Sequence, residues 1–463
     1  MSEKFIFMKI FDYFQLDENN TNFKTEAFSG ISVFLALLPT LIVNSVTLSS
    51  AGMDSLGVYI ATALAAGILT ILVGLLSNSP YALISGIGVN IFFVYAAVKV
   101  FGDWRFSILS TIMIGIIYFI VTFFPSKTDL FEDFPEILKQ VLVIGIGIFI
   151  FEIALQDIGI IQYYPVDITI FKIPFQITLI GLDSIYELFS PVNLIVIIGT
   201  AIILILMKFK AKTDFIIGIL FVYLITVILE LIGFPLTDYS VIPRNIIDFG
   251  IINNLNKVFF TLPDLSKCYN VDFLVNFINV SILMFLVVFF DILGLTMALA
   301  TKSGKDVSNL KPFSAVCSLG QVISGILGTS PAIIAVENYV GVLNGAKTGL
   351  TSVIIGLLFL LAVFFSPLIF SVPSFVITPA LFVVAYLMIK DIKNISREIS
   401  DLIPSVVMLL TILATGNITD GLICGILAYV LVKVIFRKTE DISKIIWVLS
   451  AVFILLFVLS FIF

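Results

Sequence analysis

The sequence predicts an all-α polytopic membrane protein of about 14 transmembrane segments, arranged as two inverted repeats of seven. Three observations predict this fold class. The 463 residues are 60% hydrophobic and 12% charged, with a mean hydropathy of +1.18, whereas soluble chains carry about 25% charged residues. Apolar stretches fall into two sets of seven. The third member of each set is short and interrupted by glycine or proline.

The first set of apolar stretches precedes a long polar interruption. Its members lie at residues 28–49, 56–77, 87–101, 105–124, 135–157, 191–208 and 213–233. Residues 1–26 mix lysines with acids and are no cleavable signal peptide, so we assign them to a cytoplasmic N-terminal segment. Residues 27–234 are the predicted first repeat, and residues 235–271 are the predicted extracellular connecting loop.

The second set of apolar stretches has the same organisation. Its members lie at residues 273–300, 312–328, 331–343, 347–370, 375–391, 401–414 and 418–437. Residues 272–437 are therefore the predicted second repeat. Residues 438–463 form a C-terminal apolar segment, which either spans the membrane or lies along its interface.

The distribution of lysine and arginine predicts the orientation. With a cytoplasmic N-terminus, the even-numbered loops face the cytoplasm and are expected to be basic. Those loops hold Lys208, Lys210 and Lys212, then Lys302, Lys305 and Lys311, then Lys390, Lys393 and Arg397. An odd number of segments per set makes the second repeat enter from the opposite side, so the repeats are inverted. The predicted location is the cell membrane.

Composition also excludes several classes of function. Histidine is absent, and the three cysteines, Cys268, Cys317 and Cys424, have no paired spacing. A metal site, a disulfide framework or a Ser-His or Cys-His nucleophile is therefore not expected, and no cofactor or enzyme activity is predicted. No basic patch indicates a nucleic-acid partner. Any proton coupling must use carboxylates.

The stretch 328–347 is the predicted functional centre. Pro331 removes a backbone donor between two apolar segments, so we expect a short broken helix whose freed polar groups line a cavity. A charge at the bilayer centre costs about 2.5–3.5 kcal/mol on insertion scales, which favours a binding role for Glu337. A buried structural hydrogen bond is the alternative. We assign Ser330, Glu337 and the adjacent Asn338 to the site.

The third member of the first set contains a second break, at 85–93. Gly88 and its neighbour Gly86 allow close approach of the backbone to a ligand, and Asn90 follows on the first turn of a short helix. If this element meets the Ser330 region, two helix N-termini face one cavity and suit an acceptor-rich ligand. Tight helix packing through small residues explains the same glycines equally well.

Two further carboxylates are expected at membrane depth. Asp291 lies among apolar residues in the first segment of the second set and should face the protein interior or a water-filled path. Capping of the broken helix at Ser330 is the structural alternative. Glu152 either takes part in proton coupling or pairs across a helix or subunit interface. Glu337, Asp291 and Glu152 are thus the candidates for proton coupling.

These residues resemble a known family. The matching segments are Glu18–Thr21 with Thr25 and Glu26, Val43 with Asn44, Ser50–Asp54, Gly86–Asn90 with Phe92 and Phe93, Asp291 with Gly294, Gly328–Ser330, Glu337, Lys347–Thr351 and Phe365–Pro367. In order and spacing, they resemble the azaguanine-like hypoxanthine/guanine permeases of the nucleobase–cation symporter and ascorbate transporter superfamily.

The resemblance implies a secondary active transporter of a purine nucleobase or related small heterocycle. It implies a core domain, made of the first four segments of each repeat, that slides or rocks against a gate domain in proton-coupled symport. By position, Glu337 would hydrogen-bond the base and take part in coupling, Asp291 would be a polar member of the site, and Asn90 would support it. The sequence leaves open H⁺ against Na⁺ coupling and whether the gate domains form a homodimer in the lipid bilayer.

The chain also departs from the family pattern. Val288 replaces a usual acid, and Ile292 and Leu293 replace two threonines. A site that loses hydrogen-bonding groups should change its ligand or its specificity. The alternative function is therefore a small-anion or ion transporter or channel on the same fold, since helix N-termini can hold an anion. Two nearby carboxylates argue against it.

Overall fold

The computed structural model describes most of the chain. The described residues are 12–86, 89–90, 93–94, 101–123, 135–170, 173–182, 189–209, 214–237, 240–243, 245–303, 311–416, 418–444, 446–451 and 453–454. Residue Gly88, predicted in the site, lies outside them, as do residues 455–463 at the end of the C-terminal segment.

The first half of the chain is mainly helical. Its elements are α1 Phe23–Ser49, α2 Ser55–Ser77, β1 Leu83–Ser85, α3 Trp104–Phe123, α4 Glu136–Asp157, β2 Ile161–Ile170, β3 Ile173–Leu182, α5 Pro191–Lys208 and α6 Asp214–Leu231. Side-chain caps define the starts of α1 and α2. The Asn22 side chain accepts a hydrogen bond from the Thr25 backbone amide at 3.0 Å, and the Asp54 side chain accepts one from the Gly57 backbone amide at 2.8 Å.

The second half follows a connection with two 3-10 turns, Gly250–Lys257 and Leu265–Tyr269. Its main elements are α7 Val271–Ser303, α8 Lys311–Leu327, β4 Ala332–Ile334, α9 Asn338–Leu343, α10 Gly349–Ala362, α11 Ser366–Ile369, α12 Thr378–Ile389, α13 Ile399–Thr415 and α14 Ile418–Ile435. Further 3-10 turns lie at Ser374–Val376, Lys390–Asn394 and Thr439–Asp441.

Length and composition identify the membrane-crossing candidates. Within the described part of the chain, 6 helices are long and apolar enough to cross a membrane. Five more apolar helices are shorter, between 10 and 17 residues. The predicted number of segments, about 14, stays a prediction.

The structure corrects two local predictions. Residues 331–343 do not form one short helix: Ala332–Ile334 is a strand, and the helix begins only at Asn338. There is thus no helix for Asp291 to cap at Ser330. Residues 161–182, for which the sequence predicted no element, form an antiparallel hairpin of β2 and β3. Both cases reflect short runs rich in β-branched residues, which periodicity cannot separate from helix.

The chain divides into two compact units. The first unit contains Met1–Pro125, Ile205–Ile292 and Asn309–Ile377, and the second contains Ser126–Leu204, Leu293–Ser308 and Thr378–Phe463. Each unit therefore takes segments from both halves of the sequence. The first unit includes α6, although the sequence assigned that segment, 213–233, to the gate group.

Glycines bring α2 and α10 of the first unit into backbone contact. A Cβ at Gly74 would lie 2.4 Å from the Gly349 carbonyl oxygen, and one at Gly349 would lie 2.1 Å from the Gly74 oxygen. Two turns away, a Cβ at Gly356 would lie 2.6 Å from the Gly67 oxygen. Both pairs are seven residues apart on their helices, so one face of each helix stays flat along the contact.

Glycines also bring the backbones of α3 and α8 close together. A Cβ at Gly115 would lie 2.8 Å from the Ser318 carbonyl oxygen, and one at Gly325 would lie 3.2 Å from the Ile108 oxygen. When the predicted segments are numbered 1 to 14 in chain order, α2 and α10 are segments 2 and 11, and α3 and α8 are segments 4 and 9. Equivalent segments of the two repeats differ by seven, so segment 2 corresponds to 9 and segment 4 to 11. The repeat therefore relates the contact of segments 2 and 11 to the contact of segments 9 and 4.

The second unit is built around α4, α12, α13 and α14. Near the start of α13, the buried Lys433 ammonium binds Asp401 at 3.0 Å and Asp441 at 2.9 Å. The pairing satisfies a cation that would otherwise be costly to bury, and it ties α14 to the start of α13 and to the turn after α14.

Candidate functional site

Two short strands from the two halves of the sequence meet in the first unit. β1 and β4 pair antiparallel, with Leu83 opposite Ile334, Ile84 opposite Ile333 and Ser85 opposite Ala332. Each strand interrupts what would otherwise be a spanning helix, and the interruption frees backbone donors and acceptors. At membrane depth these groups must be satisfied within the protein, and the strands satisfy one another.

Asn338 extends this pairing with its side chain. Its amide nitrogen donates to the carbonyl oxygens of Ala82, at 3.0 Å, and Ala335, at 2.8 Å, and its amide oxygen accepts the Ala82 amide at 2.7 Å. The buried amide thus acts as one more rung of the strand pair. Both of its hydrogens are used by the backbone, which gives Asn338 a structural role. Its role as a ligand stays a prediction.

Asn90 and Ser330, both predicted from the sequence, are brought together at the end of the strand pair. The Ser330 hydroxyl donates to the Asn90 amide oxygen at 2.5 Å, and the Ser85 hydroxyl donates to the same oxygen at 2.9 Å. The two serine hydroxyls also contact each other. The Asn90 amide nitrogen is buried without a hydrogen-bond partner among the described residues. A donor is therefore available beside the strands.

The cluster continues into α1 and α2. The Ser330 hydroxyl also lies 3.3 Å from the Asn44 amide oxygen, and the Asn44 amide nitrogen donates to Thr62 at 2.5 Å and to Thr329 at 3.2 Å. The Thr62 and Thr329 hydroxyls lie 2.8 Å apart. All of these side chains are fully or almost fully buried. This polar cluster, namely Asn44, Thr62, Ser85, Asn90, Thr329 and Ser330, links two helices to both broken segments.

Glu337 lies immediately before α9, three residues after Ile334, the last residue of β4. Its carboxylate accepts a hydrogen bond from the Thr40 hydroxyl of α1 at 3.4 Å. Unlike the polar cluster, it is partly exposed. A carboxylate in this position can exchange protons with water and can accept hydrogen bonds from a ligand.

The other two predicted carboxylates lie on α7 and α4. Asp291 lies on α7, within the first unit, and is partly exposed beside the buried Ile292. Glu152 lies on α4, within the second unit, and its side chain is 2% exposed. Their predicted coupling roles stay predictions.

Sequence reasoning missed two polar members of this region. It named Asn44, Ser330 and, as part of the family motif, Thr329, but not Thr62 or Gln321. The Gln321 amide of α8 donates to the Ala332 carbonyl oxygen of β4 at 2.6 Å, and its own amide oxygen has no partner among the described residues. The sequence could have indicated Gln321, because burying a polar amide in a membrane segment is costly unless the amide has a structural or binding role.

The chemistry of the region is that of a neutral hydrogen-bonding site with one nearby carboxylate. It offers a donor from the Asn90 amide and an acceptor from Glu337. The described residues contain no group of three or more His, Cys, Asp or Glu that could hold a metal ion. Such a site suits a small polar ligand with both donors and acceptors.

Comparison with known proteins gives the family. A family model described as Permease family matches residues 24–419. The guanine/hypoxanthine permease PbuG of Bacillus subtilis strain 168 is 30% identical, covering 96% of this chain and 99% of that protein. The adenine permease AdeP of Escherichia coli strain K12 is 29% identical, covering 96% and 94%.

The fold is shared with a solved structure. The transmembrane domain of a cyanobacterium bicarbonate transporter, BicA, superposes with a TM-score of 0.55 at 14% identity, covering 87% of this chain and 97% of that one. This likeness confirms the predicted inverted-repeat helical architecture. With most of its length matched by the family model and by full-length relatives, the chain belongs to the Permease family and, within it, to the azaguanine-like nucleobase permeases, and it is a multi-pass membrane transporter rather than an enzyme.

Proposed function

We propose that this protein transports a purine nucleobase or a closely related heterocycle, with the site at the β1–β4 pair of the first unit. The observation that carries the proposal is the buried polar cluster with its unpartnered Asn90 amide, next to the partly exposed Glu337 carboxylate. The relatives are named for guanine, hypoxanthine and adenine, which supports a purine.

The two groups have complementary roles in this proposal. A purine edge presents ring and exocyclic N–H groups beside ring nitrogens or a carbonyl. The Glu337 carboxylate accepts from the N–H groups, and the Asn90 amide donates to an acceptor. Hydrogen bonds to a charged group are worth about 1.5–3 kcal/mol, so Glu337 supplies the larger share of binding.

We further propose that protons drive uptake. The sequence has no histidine, so a carboxylate is the group able to change its protonation state during transport. Glu337 is the first candidate because it adjoins the strand pair. Asp291, which is also a predicted member of the binding site, and Glu152 are the other candidates for proton transfer. Transport would proceed by alternating access, with the first unit carrying the base and the second serving as the gate domain, in the cell membrane with a cytoplasmic N-terminus.

Uptake into proteoliposomes tests both proposals. Purified protein is reconstituted, a pH gradient is imposed, and entry of radiolabelled purines, xanthine and pyrimidines is measured. We expect saturable, gradient-dependent uptake of at least one purine. Bicarbonate and chloride fluxes in the same vesicles test the alternative of a small-anion transporter. The likeness to BicA concerns the fold alone and does not favour that alternative.

The variant Glu337→Gln separates ligand binding from coupling. If Glu337 carries the proton, the variant loses gradient-driven accumulation but keeps exchange of labelled for unlabelled base. If it also binds the base, exchange affinity falls by about 10- to 150-fold, the equivalent of 1.5–3 kcal/mol. Glu440→Gln is the matched control, because that exposed side chain forms no hydrogen bond or ion pair with a described residue. Unchanged accumulation in Glu337→Gln contradicts both roles.

A further inference from the structure

A groove in the second unit combines basic and apolar walls. It lies between the turn after α12 and the first half of α13 and has a volume of about 270 Å³. Lys393, Ser396 and Arg397 form one wall, and Leu402, Val406 and Leu409 form the other. An amphiphile with an anionic head fits such a division of charge.

The two cations of the groove are available for a ligand. Lys393 and Arg397 are exposed, and neither has an ion pair with a described residue. The acids at the start of α13 are occupied: Asp401 binds Lys433, and Glu398 binds Lys438. The hydrogen bond from Lys438 lowers the pKa of Glu398, which therefore stays ionised and paired. The residues that line the groove thus carry two positive charges and no negative one.

The apolar wall continues along α13. Leu402, Val406 and Leu409 recur at helical spacing, and the 48%-exposed Leu413 extends the same stripe. Eleven residues of helix rise about 16 Å, close to half of the roughly 30 Å hydrocarbon core of a bilayer. The stripe therefore has the length of one leaflet, with the cations at one end.

We propose that this groove binds an anionic phospholipid, whose phosphate lies between Lys393 and Arg397 and whose acyl chain follows the α13 stripe. The Ser396 hydroxyl, which accepts the Glu398 amide, still has its proton to donate to a phosphate oxygen. A second copy of the chain would cover the stripe but would leave two cations without an anion. A free phosphate would leave the apolar wall uncovered.

Native mass spectrometry of the full-length protein in detergent tests the proposal. The protein is titrated with phosphatidylglycerol, with phosphatidylcholine and with inorganic phosphate. We expect one tightly bound phosphatidylglycerol per chain. In the double variant Lys393→Ala/Arg397→Ala, its affinity should fall about 30-fold, since each basic side chain near a membrane surface contributes about 1 kcal/mol, or about fivefold.

Matched controls keep the test decisive. Lys390→Ala/Lys444→Ala removes the same charge from exposed positions outside the groove and should change the affinity less than about threefold. Arg397→Lys, which keeps the charge, should retain most of the binding. Equal phosphatidylglycerol binding by wild type and the groove variant overturns the proposal. So does displacement of the lipid by millimolar inorganic phosphate, or a change in oligomeric state without any change in bound lipid.

Discussion

At the residue scale, Glu26 is a buried carboxylate whose hydrogen bonds indicate a structural role. It lies in the first turn of α1 and is 0% exposed. Its oxygens accept the Lys347 amide at 3.1 Å, the Thr348 amide at 3.2 Å and the Thr351 hydroxyl at 2.6 Å. These donors lie at the start of α10, so a negative charge is held at a helix N-terminus. We infer that Glu26 ties the two helices together.

The variant Glu26→Gln is therefore expected to destabilise the protein without entering the transport chemistry. An amide supplies one oxygen where the carboxylate supplies two, so one buried backbone N–H loses its acceptor. The expected cost is about 1–3 kcal/mol, seen as a lower apparent Tm in detergent. Thr351→Val, which removes one hydroxyl, should cost less, and Glu440→Gln, at an exposed position, should be neutral. A Glu26→Gln protein with wild-type Tm would contradict the structural role.

The site residues differ in how far sequence reasoning could find them. Asn90 and Ser330 were found because they stand beside glycine and proline breaks, where membrane helices expose backbone groups. Thr62 was not found, because a threonine hydroxyl inside a helix can bond its own backbone. Its Oγ donates to the Val58 carbonyl oxygen at 2.7 Å. Such a hydroxyl costs little in an apolar segment and leaves no signal in the sequence.

At the element scale, the strand pair shows what local pattern cannot supply. The glycine and proline breaks were sufficient to predict that segments 3 and 10 are interrupted. They did not reveal that the interruption is extended, because the partner of Ile333 is Ile84, roughly half the chain away. Short apolar runs with β-branched residues fit both helix and strand, and the choice is made by a non-local partner.

The glycine contact between α2 and α10 gives a prediction at the same scale. Gly74→Ala or Gly349→Ala places a methyl group within 2.4 Å of a backbone oxygen of the facing helix, which no rotamer change can relieve. The helices must separate, and the expected cost is at least about 1–3 kcal/mol. Reduced expression of a folded protein, followed by size-exclusion fluorescence, and a lower Tm are the measurements.

Gly294→Ala is the matched control for this contact. It is also a mid-helix glycine, but the nearest atom to its added Cβ is the Leu142 Cδ2 at 3.4 Å, an ordinary contact with a flexible side chain. The better helix propensity of alanine should make this variant neutral or more stable by up to about 1 kcal/mol. If Gly294→Ala loses as much stability as Gly74→Ala or Gly349→Ala, then any replacement of a helical glycine destabilises this protein. The close approach of the two helix backbones is then not the cause.

At the scale of the whole molecule, the inverted repeat explains why both units draw on both halves of the chain. Segment 2 packs on segment 11 and segment 9 on segment 4, so neither repeat can complete the first unit alone. The fold class and the repeat followed from hydropathy and the positions of the broken segments. The grouping of α6 with the first unit did not, because it depends on contacts that hydropathy does not record.

The same repeat makes a prediction about membrane orientation. Between Tyr269 and Lys390 the sequence predicts five segments, an odd number, so these two positions should lie on opposite sides of the membrane. Both side chains are exposed, Tyr269 to 90%.

Cysteine labelling tests this prediction. Each residue is replaced by cysteine in a background without Cys268, Cys317 and Cys424, and the variants are labelled with a membrane-impermeant maleimide. Tyr269→Cys should react in intact cells, and Lys390→Cys should react only in inside-out vesicles. Labelling of both from one side means that the strand-containing segment 331–343 does not cross the membrane, or that another segment in this interval has been miscounted. Labelling of both from the reversed sides preserves the parity and places the N-terminus outside, against the charge rule.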